Sequence, residues 1–222
     1  MLYLLSKHTT VQLEENVMQQ LLIVDLESTC WENHIAPSGA RQSVDEMEII
    51  EFGCVIATRA GEVLDKCSFL VRPKVHPELS PFCQQLTTIS QAMVDAAPLF
   101  TEVVPEIDAW LRQWPDLTYW TSWGNYDRRH IEAQSMREGV MPGFMRLPHL
   151  NLKTIWKNTT GERKRNGLGS ALKYHNLAFE GRPHRGIDDA CNMARLLPCM
   201  DWSPAILART EEERKSITQP AT

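Results

Sequence analysis

The stretch LLIVDLEST, residues 21–29, decides how this chain folds. Leu21, Leu22, Ile23 and Val24 form an unbroken apolar run with no polar alternation. Such a run reads as a strand covered on both faces, in a sheet flanked by helices. Asp25 and Glu27 stand at its end. Successive strand residues point to opposite faces, so these two carboxylates project on the same side, about 6–7 Å apart along the chain. An acid there is costly to bury unless it is paired or bound to a metal. Two acids on one face repel each other, and a divalent cation relieves that repulsion. The plainer alternative is a pair of solvated strand-end acids or salt-bridge partners, and a D-x-E alone does not separate the two.

Outward from this strand, residues 49–58 and 63–71 read as two more strands, a hairpin turning at Gly61 beside the first. Residues 32–47 read as a loop, rich in turn formers and charge. Segment 73–98 has prolines at 73, 77, 81 and 98 and reads as irregular apart from a short helix near 89–94. Phe100, Val103, Val104, Ile107, Trp110 and Leu111 fall at helical spacing and predict an amphipathic helix over 100–113. Residues 117–123 read as a strand and 127–137 as a helix ending at Gly139. After an ordered element at 151–156 comes a basic loop, then a short helix over 168–175 and a core helix over 188–197. Ser203-Pro204 suits the start of one more helix, whose polar end EEERKSITQPAT is expected to fray. Strands first, then helices interleaved with one or two further strands, give an α/β chain with helices packed on the faces of a sheet.

The 222 residues suit one domain with a real core. Residues 20–200 are expected to form it, with 1–19 a short polar extension and 201–222 a C-terminal helix and tail. No stretch approaches the roughly twenty apolar residues of a membrane helix. The apolar run at the N-terminus is too short for a secretory signal, so a cytoplasmic location is the expectation and no membrane partner is implied. Six cysteines without a C-x-x-C pair argue for reduced thiols rather than structural zinc. A net charge of −5 argues against holding nucleic acid by global positive charge. It does not exclude an enzyme acting on nucleic acid, because bound cations neutralise clustered acids and basic residues can be local. Lys153, Lys157, Arg163, Lys164 and Arg165 make such a local run, although a solvated loop explains it equally well.

Two further places carry candidate chemistry. Asp127, in YWTSWGNYDRRHIEAQ, follows a strand-like run and opens a helix, where an acid also serves as a cap or complements the helix dipole. In GRPHRGIDDACNMARLL, His184 lies in a loop flanked by glycine and proline, which suits a mobile general base. Ile187, Ala190, Met193, Ala194 and Leu197 form the apolar stripe of the following helix. Asp189 lies at the edge of that stripe and can reach inward, whereas Asp188 is better placed as the N-cap.

D-x-E on the first strand, a mid-chain Asp on a strand-to-helix turn and H-x-x-x-x-D near the C-terminal end make a demanding order. In this order the chain resembles the DEDDh exonucleases. The resemblance implies a ribonuclease H-like fold, a mixed five-stranded sheet flanked by helices. It also implies that Asp25, Glu27, Asp127 and Asp189 bind two Mg²⁺ or Mn²⁺ ions and that His184 activates the attacking water. The residue types agree. Carboxylate oxygens suit these hard cations. Two ions about 4 Å apart stabilise the attacking and leaving oxygens of an in-line displacement. An imidazole accepts a proton near neutral pH.

DLESTCWE (25–32), EIIEFG (48–53), VRPKVHPELSPFCQQLTTISQAMVDAAPLF (71–100), SWGNYD (122–127) and FEGRPHRGIDDACNMARLL (179–197) extend the resemblance to the Eri-type branch, the histone-mRNA and small-RNA 3′-exonucleases. That branch implies an RNA 3′ end as substrate, single-stranded or overhanging, trimmed from 3′ to 5′ to nucleoside 5′-monophosphates. By the same resemblance Leu26, Thr29 and Trp31 border the terminal nucleotide, and Leu86-Thr87 packs on its ribose and base. The branch commonly has glycine after Leu-Thr; Thr88 stands there in this chain. Its eukaryotic members carry any separate RNA-binding domain ahead of the nuclease, and a twenty-residue leader is too short for one. Among the tryptophans, Trp31 in its polar loop is the expected stacking platform, while Trp123 reads as core. Two other readings stand beside this one: a DNA exonuclease of the proofreading or repair type, and a catalytically silent nucleic-acid-binding protein. The oligomeric state is not legible.

Overall fold

The computed structural model describes residues 19–164 and 166–218, the last six as backbone. The expected N-terminal extension, apart from Gln19, and the last four residues lie outside them. Five strands form one mixed sheet in the order β3-β2-β1-β4-β5, with β1 (Gln20–Ser28), β2 (Ile49–Thr58), β3 (Val63–Leu70), β4 (Tyr119–Ser122) and β5 (His149–Asn151). β1 pairs antiparallel with β2 and parallel with β4, which makes it the central strand. The helices are α1 (Pro81–Thr87), α2 (Gln91–Asp95), α3 (Phe100–Leu111), α4 (Tyr126–Glu138), α5 (Leu152–Thr160), α6 (Leu168–Tyr174), α7 (Gly186–Leu196) and α8 (Pro204–Thr218). None among the described residues is long and apolar enough to cross a membrane.

The period of two along β1 builds both faces of the core. Leu21 and Ile23 point to one face, where α5, α6 and α7 cover them with Trp156, Leu172, Met193 and Ala194. Leu22, Val24 and Leu26 point to the other, against Phe100, Val104 and Ile107 of α3 and Ile131 of α4. Asp25 and Glu27 continue the phase of Leu21 and Ile23, so they emerge on the side covered by α7. β2 matches them, with Gly53 opposite Asp25 and Glu51 opposite Glu27. A Cβ on Gly53 would lie 2.0 Å from the Gly186 carbonyl carbon. A Cβ on Gly186 would lie 2.8 Å from the Asp25 carbonyl oxygen. The start of α7 therefore rests on bare backbone, and this close approach brings its first turn to the carboxylates of β1.

The expected elements are present, with four differences. α1 lies in the segment read as irregular. Pro81 occupies its first turn, where a missing N–H costs nothing, and the Ser80 hydroxyl caps it by accepting from the Cys83 amide at 3.0 Å. The basic run is not all loop: Lys153 and Lys157 belong to α5, Arg163 and Lys164 follow it as exposed residues, and Arg165 lies outside the described residues. α7 begins two residues before Asp188, so Asp188 is not its N-cap. Its carboxylate instead accepts from the Arg182 amide at 2.9 Å. α8 continues to Thr218, into the polar stretch expected to fray; Ile206 and Leu207 anchor its first turns on the core, and Asn158 donates to the buried Thr210 hydroxyl.

Candidate active site

Ligand oxygens of Asp25, Glu27 and Asp189 lie within 4.8 Å of one another. The first two come from the end of β1, the third from the first turn of α7. Asp189 is held in place by the amides of His184, at 2.8 Å, and of Arg185. Asp127, at the start of α4, is 6 % exposed and stands outside that group of three. It accepts from the Leu26 amide, lies within hydrogen-bond reach of the Ser122 hydroxyl and feels the charge of Lys153. Its charge still acts on Asp25.

The electrostatics follow from this crowding. Burial first, then the charges of Asp127 and Asp189, push Asp25 well above the carboxylate range. Burial and the charges of Asp189 and Glu51 push Glu27 up to about 9. Burial raises Asp127 and Asp189 to about 6 each, although hydrogen-bond donors to both carboxylates pull the other way. Acids that share space without a counter-charge hold protons they would otherwise lose. Three hard oxygen donors converging in this way fit a divalent cation, which supplies the missing positive charge.

His184 is exposed, with a left-handed backbone at φ 63° in the loop before α7. Its backbone amide ties this strained loop to the Asp189 carboxylate, while its side chain faces solvent.

The residues expected to border a nucleotide are mostly packed. Leu26 belongs to the core face opposite the carboxylates. Thr29 is buried, and its hydroxyl accepts from the Glu48 amide at 2.9 Å. Trp31 does not stand open in a polar loop: it is 9 % exposed, within a cluster with Ile50, Leu79 and Ile89, and its ring meets His76 edge-on at 4.8 Å. Leu86 is half-buried, and the buried Thr87 hydroxyl donates to the Cys83 carbonyl. Thr88 caps α1 at φ 58°, so it occupies a left-handed conformation that glycine adopts without strain. Trp123 lies just past β4, half-buried, with its indole N–H donating to the Asn166 carbonyl.

One residue of the site was not singled out by the sequence. Glu51 is fully buried on β2 beside Glu27 and bound by Arg185. An acid inside the apolar run IIEFGCVIA was the available signal, since buried charge is rarely without a partner.

The exonuclease family model, RNase_T, matches residues 22–197. The chain is 29% identical over 222 residues to the 3′-5′ exonuclease eri1 of Schizosaccharomyces pombe, covering 88% of this chain and 72% of that protein. It is 31% identical over 198 residues to human ERI1 exoribonuclease 3, covering 86% of this chain and 56% of that protein. Among solved structures it is similar to the nuclease domain of 3′hExo, a DEDDh family member bound to rAMP. There the TM-score is 0.70 and the identity 26%, over 88% of this chain and 93% of that one. E. coli exonuclease I, at 13% identity and a TM-score of 0.61, shares the fold alone. The sheet order, the flanking helices and the family match together make this ribonuclease H-like chain a member of the RNase_T exonuclease family.

Proposed function

We propose that residues 20–200 form a 3′→5′ exonuclease domain that trims RNA 3′ ends to nucleoside 5′-monophosphates. The observation that carries this reading is the convergence of Asp25, Glu27 and Asp189, brought from two distant elements to within 4.8 Å. In this reading Asp25, Glu27, Asp127 and Asp189 hold two Mg²⁺ or Mn²⁺ ions. When bound, the ions supply Lewis-acid stabilisation of the charge that develops on the phosphoryl oxygens. His184 takes the proton of the attacking water, its exposed loop letting the imidazole meet the scissile phosphate from the solvent side. The Leu26 amide orients the Asp127 carboxylate, which joins the other three as a ligand once the ions draw it in. Of the Leu86-Thr87 step, the half-buried Leu86 at the end of α1 borders the terminal nucleotide, and the buried Thr87 supports it from within.

RNA is favoured over DNA by the names of the similar proteins, an exoribonuclease and a 3′-exonuclease solved with histone mRNA stem-loop recognition. Nucleic acid is its partner in this reading, and cell fractionation tests the cytoplasmic location expected from the sequence. The activity test uses end-labelled, matched single-stranded RNA and DNA oligonucleotides with Mn²⁺. Wild-type protein is expected to release mononucleotides faster from RNA, Asp25→Ala to abolish release, and His184→Ala to lower kcat about 10²- to 10⁴-fold while leaving a measurable residue. Wild-type release by both variants overturns the hydrolytic reading. Faster trimming of DNA overturns only the substrate class.

A further inference from the structure

We propose that Glu51 and Arg185 form a buried clamp that positions His184, an inference that rests on the hydrolytic reading above. Glu51 is 0% exposed and carries a charge in the middle of the sheet. Its Oε1 accepts from the Ser68 hydroxyl at 2.6 Å and from Arg185 Nη2 at 3.2 Å. Its Oε2 accepts from Arg185 Nε at 3.2 Å and from the Gly186 amide at 3.0 Å. A carboxylate has about four lone-pair sites, and four donors fill them. Glu51 therefore has no lone pair for a cation, although it lies beside Glu27, and it is a positioning residue rather than a fifth ligand.

The clamp acts on the residue that precedes Arg185. Its guanidinium is fixed to β2, and its carbonyl accepts from the Asp188 and Asp189 amides at 2.8 and 2.9 Å to begin α7. His184 is thus held between a side chain anchored to the sheet and the carboxylate of Asp189, which accepts a hydrogen bond from its amide. Its left-handed backbone, at φ 63°, lies between two anchored points, the Arg182 amide on the Asp188 carboxylate and the Arg185 guanidinium on Glu51. Stability alone does not call for this pair, since apolar residues of similar volume hold a fold as well as a buried ion pair does. An apolar pair lacks the directed bonds that set where the His184 loop sits. α7 itself is secured separately, through Ala190, Met193 and Ala194 in the core, so loss of the clamp moves the loop while the helix that carries the Asp189 backbone stays on the sheet.

The test compares wild type with the neutral double variant Glu51→Gln/Arg185→Met, which leaves no unpaired buried charge. The variant is expected to keep a cooperative unfolding transition, with Mn²⁺ affinity and the KM for an RNA oligonucleotide close to wild type. Its kcat should fall about 10- to 100-fold, the usual effect of removing an outer-shell partner. Amide hydrogen exchange in peptides spanning 182–186 should be faster. In a His184→Ala background the double variant should cause no further loss of kcat, the signature of action through that residue. A wild-type kcat, unchanged exchange, or a further loss in the His184→Ala background overturns the clamp. If wild-type protein itself releases no nucleotide, the hydrolytic reading has failed, and the exchange measurement still tests whether Glu51 and Arg185 hold the loop.

Discussion

At Glu27 and its neighbours, the pKa shifts translate into a dependence of stability on pH. The folded state pushes Glu27 up to about 9 through burial and the charges of Asp189 and Glu51. It raises Asp127 and Asp189 to about 6. A carboxyl that binds its proton more tightly folded than unfolded stabilises the fold fully below its unfolded value, about 4. That contribution is lost as pH rises, by about 6 for the two aspartates and by about 9 for Glu27. Glu27→Gln removes a charge the metal-free fold bears poorly at high pH. Urea unfolding without metal at pH 8 should show the variant more stable, on the order of a few kcal/mol at about 1.4 kcal/mol per pKa unit. The gain should nearly vanish at pH 4, while metal-dependent nuclease activity is lost at every pH. A variant less stable than wild type at pH 8 would show that Glu27 is compensated in the fold.

Among the elements, the contact between β2 and α7 and the cap of α1 are each set by one residue. Gly53→Ala would drive a methyl group into the Gly186 carbonyl carbon, 2.0 Å from an ideal Cβ. Backbone faces backbone there, so no flexible side chain can yield. The cost should reach about 3 kcal/mol or more in urea unfolding, with Mn²⁺ affinity falling because Asp189 rides on the displaced α7. Thr88→Gly should do the opposite. Threonine at φ 58° bears strain of about 1–3 kcal/mol, and glycine gives back roughly 0.5–1 kcal/mol in unfolded-state entropy. A net gain near 1 kcal/mol is expected. The same two places show what local pattern can carry. The strand period assigned Asp25 and Glu27 to one face, because alternation is a property of the backbone alone. α1 escaped detection because Pro81 reads as a breaker until Ser80 is recognised as its cap. Glu51 escaped because its partner, Arg185, lies 134 residues away.

The whole molecule converts this clustered charge into a dependence on divalent cations. Metal that binds the folded state and not the unfolded chain raises the unfolding midpoint by mass action. The ligands must give up their protons to bind it, so the stabilisation should grow with pH. Thermal unfolding with excess Mn²⁺ should show a larger rise in midpoint at pH 8 than at pH 5, and Asp25→Asn should diminish it at both. An equal rise at the two values would mean that the cation binds elsewhere. The sequence by itself determined the central strand, the phase of Asp25 and Glu27, the helical stripe that turns Asp189 inward and the order of acids that marks the family. The first three depend on residues within a few positions of one another, and the last on order along the chain alone. Only the tertiary structure decided which three carboxylates converge, that Trp31 is packed against His76, and that Glu51 is spent on Arg185. The first and last of these depend on how closely α7 approaches the sheet, a distance set by bare backbone at Gly53 and Gly186, whose meeting no local pattern encodes.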